Sequence, residues 1–478
     1  MQRTRILALI ATLVLVVLAQ APRSGAASGS TDDWTRYGVD PARSNASDIS
    51  SDITAAMLPT LRRQQVALPG TADSSPAYVH GATVEGKARD VFVLTTTYGK
   101  TVAVDASSGH LLWTFTPHGY AHWAGSAQIT TSSPLVDVAR GVVYAAAPDG
   151  RIHALRLANG HESAGWPVTI TRDPTHEKIA SAINLSRGLV LVTTGGYIGD
   201  APPYQGHVVS ITASGKIVHV WNSLCSNRHA LIVPSTCAGS DSAIWGRGGA
   251  VVEPGTGRLL VATGNAPWDG KDNWGDSVLE LSPNASTLLQ SYTPSSQAQL
   301  NSTDADLGSA SPAILPGGLV LQGGKDGLYR VLSLAHLNGD DRQLGRLGGE
   351  LQTFRTPGGG VVLTAPAVFT SAGHSEVAVA NDEGTAVYRL RGHRLAAVWS
   401  NSTGGTSPIE AGGLLYVYDP HGGGLNVYRP SGSKPIATLA AGAGHWSSPI
   451  VVGGRIALPE GNANDHRTHG VLDIWRHS

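Results

Sequence analysis

The sequence is poor in charge, in cysteine and in the motifs of common enzyme classes. Only 14% of its 478 residues are Asp, Glu, Lys or Arg, and the formal net charge is -1. This composition excludes a long-helix or coiled-coil protein, and the balanced charge gives no sign of a nucleic-acid or anionic-membrane partner. No HExxH or Cys/His pattern predicts a zinc site, and no GxSxG elbow, Walker loop or dinucleotide-binding glycine motif occurs.

The two cysteines are Cys225 and Cys237. Neither CxxC nor CxxCH is present, so the chain encodes no thiol redox motif and no attached c-type haem. In an exported chain a close, even pair is best interpreted as one disulfide, worth about 3 kcal/mol in the chain-entropy model. Two free thiols are the alternative interpretation.

Long apolar runs are also missing, apart from residues 6–19. Arg3 and Arg5 precede this run, and the small residues Ser24, Gly25 and Ala26 follow it. We predict a signal peptide over residues 1–26, and therefore a periplasmic or extracellular protein with no stable membrane span after cleavage. A retained signal anchor is the alternative, although the run is short for a membrane span.

Glycine and proline, by contrast, are abundant, with 59 and 27 residues. Because 41% of the chain is hydrophobic, enough apolar surface exists for a core, and the glycine excess indicates turns rather than disorder. Short apolar runs alternate with Gly, Pro, Asn and Asp clusters, which is typical of antiparallel strands joined by turns. The composition therefore predicts an all-β chain.

A small-small-Pro pattern repeats along the chain, and each copy precedes a strand, a glycine turn and a second strand. The copies begin at Ser74, Ser132, Ala310, Thr364, Thr406 and Ser447. Two further units, starting near Ser181 and Gly246, lack the proline. Periods of about 40 to 50 residues point to propellers or solenoids.

Eight units predict an eight-bladed β-propeller of four-stranded antiparallel blades, because such a ring buries both faces of every sheet and leaves only short edges. A solenoid is the structural alternative. We place the propeller at residues 62–478. Residues 27–61 are too long for a bare linker, so we expect them to dock on the ring or to complete the last blade.

Polar residues collect at strand ends between Trp245 and Gly327. Within this stretch IWG, TGN, DAD and GGKDG contribute Trp245, Asn265, Asp304, Asp306 and Lys325. Loops that meet a rigid sheet often carry function. Ordinary packing and turn roles are the alternative: Trp113, Trp166, Trp221 and Trp399 close repeats, and Asp commonly caps turns.

The opening WTRYGVDPARSN, the following ITAAMLPTL and the D-A/S-x-G-x-x-x-W repeat ends resemble the quinoprotein alcohol dehydrogenase-like propellers. The resemblance extends over nearly the whole mature chain. That family includes enzymes that bind pyrroloquinoline quinone (PQQ) in a central funnel and non-catalytic scaffolds of the BamB type. Since a fold does not fix a function, both remain open.

The resemblance implies a role for each polar residue of this stretch. Trp245 would lie under the quinone, Lys325 would bind its oxygens, and Asp304 would be the catalytic base. Asn265 and Asp306 would bind calcium or a lanthanide. The implied activity is a PQQ-dependent alcohol or sugar dehydrogenase that passes electrons to a separate acceptor; the alternative is a scaffold with a protein partner.

The sequence also departs from the family pattern. The region GGYIGDAPPYQGHVV lacks the family's metal-binding Glu and offers only Asp200. The vicinal cysteine bridge and a haem domain are missing as well. A lyase or glycan-binding propeller is a third possibility, which predicts exposed aromatics such as Trp268 and Trp274.

Overall fold

The computed structural model describes residues 32–340 and 343–477, and these residues form an eight-bladed β-propeller. The predicted signal segment, residues 1–26, lies outside the described residues. Each blade is a four-stranded antiparallel sheet, as the repeats predict. The predicted fold class is therefore confirmed.

Blades 1 to 4 carry the first half of the strands, and two N-terminal strands precede them. The strands before blade 1 are β1 (Ala46–Ser47) and β2 (Arg62–Leu68). Blade 1 contains β3 (Ala77–Val84), β4 (Lys87–Thr95), β5 (Thr101–Asp105) and β6 (Leu111–Phe115). Blade 2 contains β7 (Leu135–Asp137), β8 (Val142–Ala147), β9 (Arg151–Arg156) and β10 (Val168–Thr169). Blade 3 contains β12 (Asn184–Ser186), β13 (Leu189–Thr193), β15 (His207–Thr212) and β16 (Ile217–Asn222), with a separate ribbon of β11 (Glu177–Lys178) and β14 (Gly195–Gly196) beside it. Blade 4 contains β17 (Val251–Val252), β18 (Leu259–Ala262), β19 (Val278–Leu281) and β20 (Leu288–Tyr292).

Blades 5 to 8 complete the ring. Blade 5 contains β21 (Ala313–Leu315), β22 (Leu319–Gly323), β23 (Leu328–Ser333) and β24 (Gln352–Arg355). Blade 6 contains β25 (Ala367–Ser371), β26 (His374–Ala380), β27 (Thr385–Arg391) and β28 (Arg394–Asn401). Blade 7 contains β29 (Ile409–Ala411), β30 (Leu414–Asp419), β31 (Gly424–Tyr428) and β32 (Ala437–Leu439), and β1 joins it parallel to β29. Blade 8 contains β33 (Ile450–Val452), β34 (Arg455–Glu460) and β35 (Gly470–Arg476). Helices are short: α1 (Gln297–Ser302) and the 3₁₀ turns Leu58–Thr60, Tyr120–His122, Pro234–Thr236, Leu307–Ser309, Pro357–Gly359 and Ala463–Asp465.

The strand β2 closes the ring by supplying the fourth strand of blade 8. It pairs antiparallel with β35 from Arg62↔Arg476 to Leu68↔Gly470. A strand near the N-terminus is thus hydrogen-bonded to the last strand of the chain. The propeller is therefore closed by β-sheet pairing rather than by loop packing.

The small-small-Pro repeats lie just before the first strand of their blades, and their hydroxyl groups link neighbouring blades. The Ser75 amide donates to Ser133 Oγ at 2.9 Å, and the Ser448 amide donates to Ser75 Oγ at 3.0 Å. The Ala365 amide donates to Ser407 Oγ at 2.9 Å. These small residues therefore serve inter-blade hydrogen bonding around the hub.

The hydrophobic core lies in the gaps between adjacent blades. Most gaps hold a cluster of their own; for example, Val91 and Val93 of blade 1 pack with Val143 and Leu155 of blade 2. The repeat-closing tryptophans reach across these gaps, since Trp113 Nε1 donates to Leu157 O at 2.9 Å. Burial on both faces explains why the strands are apolar runs rather than alternating patterns.

The N-terminal segment before β2 crosses one end of the hub and contacts the first strands of most blades. Trp34 bridges to Tyr78 of blade 1, and the Val252 amide of blade 4 donates to Pro41 O at 2.9 Å. The Val368 amide of blade 6 donates to Ser44 O at 2.8 Å. This end of the ring is closed by the protein's own backbone.

Candidate functional site

A cavity of about 420 Å³ lies at the hub, where loops from several blades meet. Its size falls in the range of small-molecule sites, about 300–1,000 Å³. Four of the five predicted ligand-binding and catalytic residues line it: Trp245, Asp304, Asp306 and Lys325. The loops before β17 and after α1 and the β22–β23 turn place these four residues.

Lys325 joins the two aspartates. Its Nζ lies 2.6 Å from Asp306 Oδ2 and 3.1 Å from Asp304 Oδ1, and 5.4 Å from the centre of a Trp245 ring. Burial alone would lower the pKa of Lys325, but the two carboxylates raise it above its usual value. The ammonium group is therefore held in its charged form beside an indole face.

Asn265, the fifth of these residues, contacts Asp306 through its backbone. It is not among the residues that line the cavity, and its backbone amide donates to Asp306 Oδ1 at 2.6 Å. Gly264 makes this approach possible, because a Cβ at that position would lie 2.3 Å from Asp306 Oδ1. The TGN motif thus positions the Asp306 carboxylate through the backbone amide of Asn265.

The two predicted metal ligands do not form a metal site as they are arranged. Both oxygens of Asp306 already accept hydrogen bonds, one from the Asn265 amide and one from Lys325. Across residues 32–340 and 343–477, no group of three or more His, Cys, Asp or Glu side chains suits a metal ion. The metal-binding roles of Asn265 and Asp306 stay predictions.

A second tryptophan, Trp446, lines the cavity and contacts Trp245. Their ring centroids lie 5.8 Å apart at an interplanar angle of 53°. Trp446 directly precedes the small-small-Pro copy that begins at Ser447, just before β33, and no sequence motif assigned it a role at the site. The contact joins loops that precede blades 4 and 8, which are far apart in sequence, so no local sequence pattern predicts it.

Two further cations line the cavity, Arg247 and Lys178. The buried Arg247 guanidinium donates to Thr131 O at 3.0 Å and to Asp73 O at 2.8 Å, while its Nε–H has no partner in the described part of the chain. Arg247 lies two residues after Trp245 in IWGRGG, so its position beside the predicted site could have been inferred from the sequence. A buried guanidinium with an unused donor suits an anionic ligand.

Lys178 reaches the cavity because of the alternation along β11. Its neighbour Glu177 points the other way, into a buried pair with His207, whose Nε2 lies 3.0 Å from Glu177 Oε1. Burial lowers the pKa of Lys178 to about 8, an effect that Arg247 strengthens and Asp73 opposes. Lys178 is therefore a cation whose charge changes near neutral pH.

His445 and Asp200 add polar groups to the wall. His445 Nδ1 lies 2.7 Å from Oδ2 of the buried Asp73, and Asp200 Oδ1 accepts the Tyr204 hydroxyl hydrogen at 2.7 Å. Asp200, the only acid in the GGYIGDAPPYQGHVV region, thus has a tyrosine partner. The sequence names Asp200 only as the acid of its loop, and no motif pointed to His445 as a cavity residue.

Below the D-x-D turn lies one more carboxyl group, that of Asp276. Its Oδ1 accepts the Leu307 amide hydrogen at 3.1 Å, and burial raises its pKa to about 8. Asp306 contributes to the same rise through like charge. This group supports the turn from beneath and does not line the cavity.

Two other expectations can be compared with the structure directly. Cys225 and Cys237 form a disulfide, as predicted. Trp274 is buried and Trp268 packs against the same core cluster, so these two residues do not form the exposed aromatic platform of the third possibility.

The fold is similar to that of known quinoprotein dehydrogenases. A quinohemoprotein alcohol dehydrogenase from Comamonas testosteroni aligns over 94% of this chain and 81% of its own, with 16% identity and a TM-score of 0.69. A europium-containing methanol dehydrogenase aligns over 94% of this chain and 98% of its own, with 14% identity and a TM-score of 0.69. The predicted resemblance to this propeller type is therefore confirmed at the level of the fold.

Another solved structure shares the architecture with a lower TM-score. BamB from Moraxella catarrhalis aligns over 87% of this chain and 98% of its own, with 13% identity and a TM-score of 0.53. No protein-family model and no curated protein matches the sequence. At these identities the comparisons establish the fold alone.

Proposed function

We propose that this propeller is a PQQ-dependent dehydrogenase that oxidises an alcohol or sugar and passes the electrons to a separate acceptor. PQQ is a planar, tricyclic carboxylate, and when bound it supplies a two-electron oxidant that accepts hydride. The observation that carries the proposal is the combination, in one cavity of about 420 Å³, of two indole rings with three cations.

The tryptophans would hold the flat cofactor by its faces. Trp245 and Trp446 are 5.8 Å apart and tilted at 53°, so a planar guest would pack against one ring and contact the edge of the other. Trp245 is also fixed by Lys325, which lies 5.4 Å from the centre of a Trp245 ring.

The cations would bind the cofactor's anionic groups. The guanidinium of Arg247 and the ammonium of Lys178 supply two of the cations that line the cavity. Lys325 would stabilise negative charge that develops on a quinone oxygen, since a fixed donor at that point costs no reorganisation. The donor set fits an organic anion, and we assign no step to a calcium or lanthanide ion.

Asp304 would accept the proton of the substrate hydroxyl. Its side chain is 53% exposed, and Lys325 donates to its Oδ1 at 3.1 Å, so one oxygen is left for substrate. A positioned proton acceptor contributes about 10²- to 10⁴-fold to a rate.

The test is reconstitution. The purified chain is titrated with PQQ, alone and with calcium or a lanthanide, while tryptophan fluorescence and quinone absorbance are followed; dye reduction is then measured over a panel of alcohols and sugars. We expect quenching of fluorescence on binding and dye reduction with at least one substrate. No binding and no turnover under every combination would eliminate the proposal.

Asp304→Asn gives the matching prediction for catalysis. We expect dye reduction to fall by about 10²-fold or more, with PQQ affinity and folding retained, because the amide cannot accept the proton. Asp382→Asn, a change in the turn between β26 and β27, is the control and should keep full activity. Unchanged turnover in Asp304→Asn would assign the proton acceptor elsewhere.

A non-catalytic scaffold with a protein partner is the second candidate. The specific observation in its favour is the closed Asp306–Lys325 ion pair, which occupies the carboxylate that the family resemblance assigns to a metal. Failure of every reconstitution above, together with an intact fold, would favour it.

We also propose that the protein is exported to the periplasm or beyond, on the basis of the N-terminal apolar run and the disulfide. Within residues 32–340 and 343–477, no helix has the length and apolar character needed to cross a bilayer. Cell fractionation with a carboxyl-terminal tag tests the location: recovery of the chain in the cytoplasm would contradict it.

A further inference from the structure

The side-chain amine of Lys178 lines the cavity without a hydrogen-bonding partner. In the part of the chain that the structure describes, its Nζ makes no hydrogen bond and no ion pair. Lys325 lines the same cavity, but its Nζ lies 2.6 Å from Asp306 Oδ2 and 3.1 Å from Asp304 Oδ1. The two lysines therefore differ: Lys325 is held in an ion-pair network, whereas the amine of Lys178 is left for a ligand.

The strand that carries Lys178 is held by two sets of hydrogen bonds. Lys178 in β11 pairs with Gly195 in β14. Two residues further on, the carbonyl of Ala180 accepts a hydrogen bond from Thr131 Oγ1 at 2.9 Å. The carbonyl of the same threonine accepts one from the Arg247 guanidinium at 3.0 Å. Thr131 thus joins the strand of Lys178 to Arg247, and the two cationic side chains line one cavity.

A lysine in these surroundings has a nucleophilic amine. An ordinary lysine, with a pKa of about 10.4, is almost entirely charged at neutral pH, and an ammonium group has no lone pair with which to attack. Burial and the positive charge of Arg247 lower the pKa of Lys178 to about 8, against the opposing effect of Asp73. Desolvation and a neighbouring cation are the two conditions under which enzymes use lysine to form imines with carbonyl compounds.

Arg247 indicates which class of carbonyl compound suits the site. Its side chain lines the cavity and is 5% exposed, and a guanidinium stays charged at every relevant pH. A carboxylate on the ligand is attracted by this charge, and the attraction is stronger in a partly buried site than in water. A 2-oxo acid, whose carbonyl carbon is bonded directly to a carboxylate, offers one group to Lys178 and the other to Arg247.

We infer that Lys178 is a covalent binding site for small 2-oxo acids, with the carboxylate of the ligand beside Arg247. The neutral amine adds to the carbonyl carbon and forms a C–N bond. Both amine hydrogens then leave with the carbonyl oxygen as water, which gives an imine and requires no oxidant or reductant. This binding role goes beyond the proposed dehydrogenase activity and needs no quinone, because it uses the neutral form of Lys178 in the ligand-free cavity.

Reductive trapping tests the site. The purified protein without quinone is incubated with glyoxylate and cyanoborohydride at about pH 7.5, and peptide mass spectrometry identifies the modified lysines. We expect a carboxymethyl group on Lys178 at a rate about 10²-fold higher than on Lys325 or on surface lysines, because the neutral fractions differ by about this factor. Lys178→Met should abolish the fast reaction. Lys100→Met, which removes a lysine 4.4 Å from the centre of the Tyr120 ring, outside the cavity lining, is the matched control and should keep it.

Acetaldehyde in place of glyoxylate tests the role of Arg247, because acetaldehyde carries no carboxylate. With rates normalised to those of surface lysines, we expect Lys178 to be trapped about 10-fold more slowly or less, and Arg247→Met to lose the preference for glyoxylate. Equal trapping of Lys178 and the surface lysines would overturn the inference. Equal normalised rates with both aldehydes would overturn the assigned ligand class. Neither result changes the outcome of the quinone titration, so failure here is distinct from failure of the proposed function.

Discussion

Two buried arginines, one in the N-terminal segment and one on the cavity wall, differ in their hydrogen bonds. Arg43, in the N-terminal segment, donates to four backbone carbonyls: those of Tyr37, Ala182, Ile183 and Gly248. Arg247, at the cavity, donates to two carbonyls and keeps its Nε–H without a partner in the described part of the chain.

This difference indicates a structural role for Arg43 and a ligand-binding role for Arg247. A guanidinium whose donors all end on carbonyl groups holds chain segments together and has nothing to offer a ligand. A guanidinium with an unused buried donor has an unmet demand, since burying a polar group without a partner is costly. Arg43 therefore holds the N-terminal segment to the ring, and Arg247 is the arginine that we propose binds the ligand.

The largest effect is expected from a substitution of Arg43, which tests its structural role. In Arg43→Met we expect the free energy of unfolding to fall by at least about 3 kcal/mol, because four buried carbonyls lose a charged donor and each such bond contributes about 1.5–3 kcal/mol. Urea unfolding measures the loss. Quinone affinity of the folded fraction should not change; a stable variant with impaired binding would place Arg43 in the site.

The reverse result is expected at Arg247. In Arg247→Met quinone affinity should fall about 10- to 100-fold, because a charge-assisted hydrogen bond of about 1.5–3 kcal/mol to the ligand is lost. Fluorescence titration measures the affinity, and urea unfolding serves as the control. If Arg247→Met lost as much stability as Arg43→Met and kept its quinone affinity, the proposed difference between the two arginines would be wrong.

Lys178 sharpens the same comparison through pH. Because burial lowers its pKa to about 8, an anionic ligand should bind more weakly as the pH rises through 8 and the ammonium loses its proton. Stability should change in the opposite direction: above pH 8 the unfolded chain binds the extra proton, so the free energy of unfolding rises towards the usual lysine pKa.

Fluorescence titration and urea unfolding between pH 6.5 and about pH 10 test both signs, and Lys178→Met is the matched control. The variant should lose both pH dependences attributed to this side chain. An affinity in the wild type that stays constant across this range would show that Lys178 does not contact the ligand.

The blades could be predicted because short sequence patterns mark them. A small-small-Pro pattern before a strand and a Trp at its end recur within one blade, and the structure uses both at inter-blade contacts, as Ser75 and Trp113 illustrate. The convergence of Trp245, Asp304 and Lys325 also follows from their order along neighbouring blades.

Other parts of the site could not be predicted, because they depend on ring closure or on side-chain direction. Asp73 meets His445 only when the first and last blades are adjacent. The orientation of Asn265, which offers its backbone amide to Asp306, is decided by the absent Cβ of Gly264 rather than by any motif. Spacing alone identifies which loops meet, and not which atoms face one another.

The pairing of β2 with β35 has a consequence for biosynthesis. The strand made first must wait, unpaired, while seven blades emerge from the ribosome, and only then can its partner arrive. The ring can therefore close only after β35 has been synthesised, so the last blade is the last part of the sheet structure to be completed.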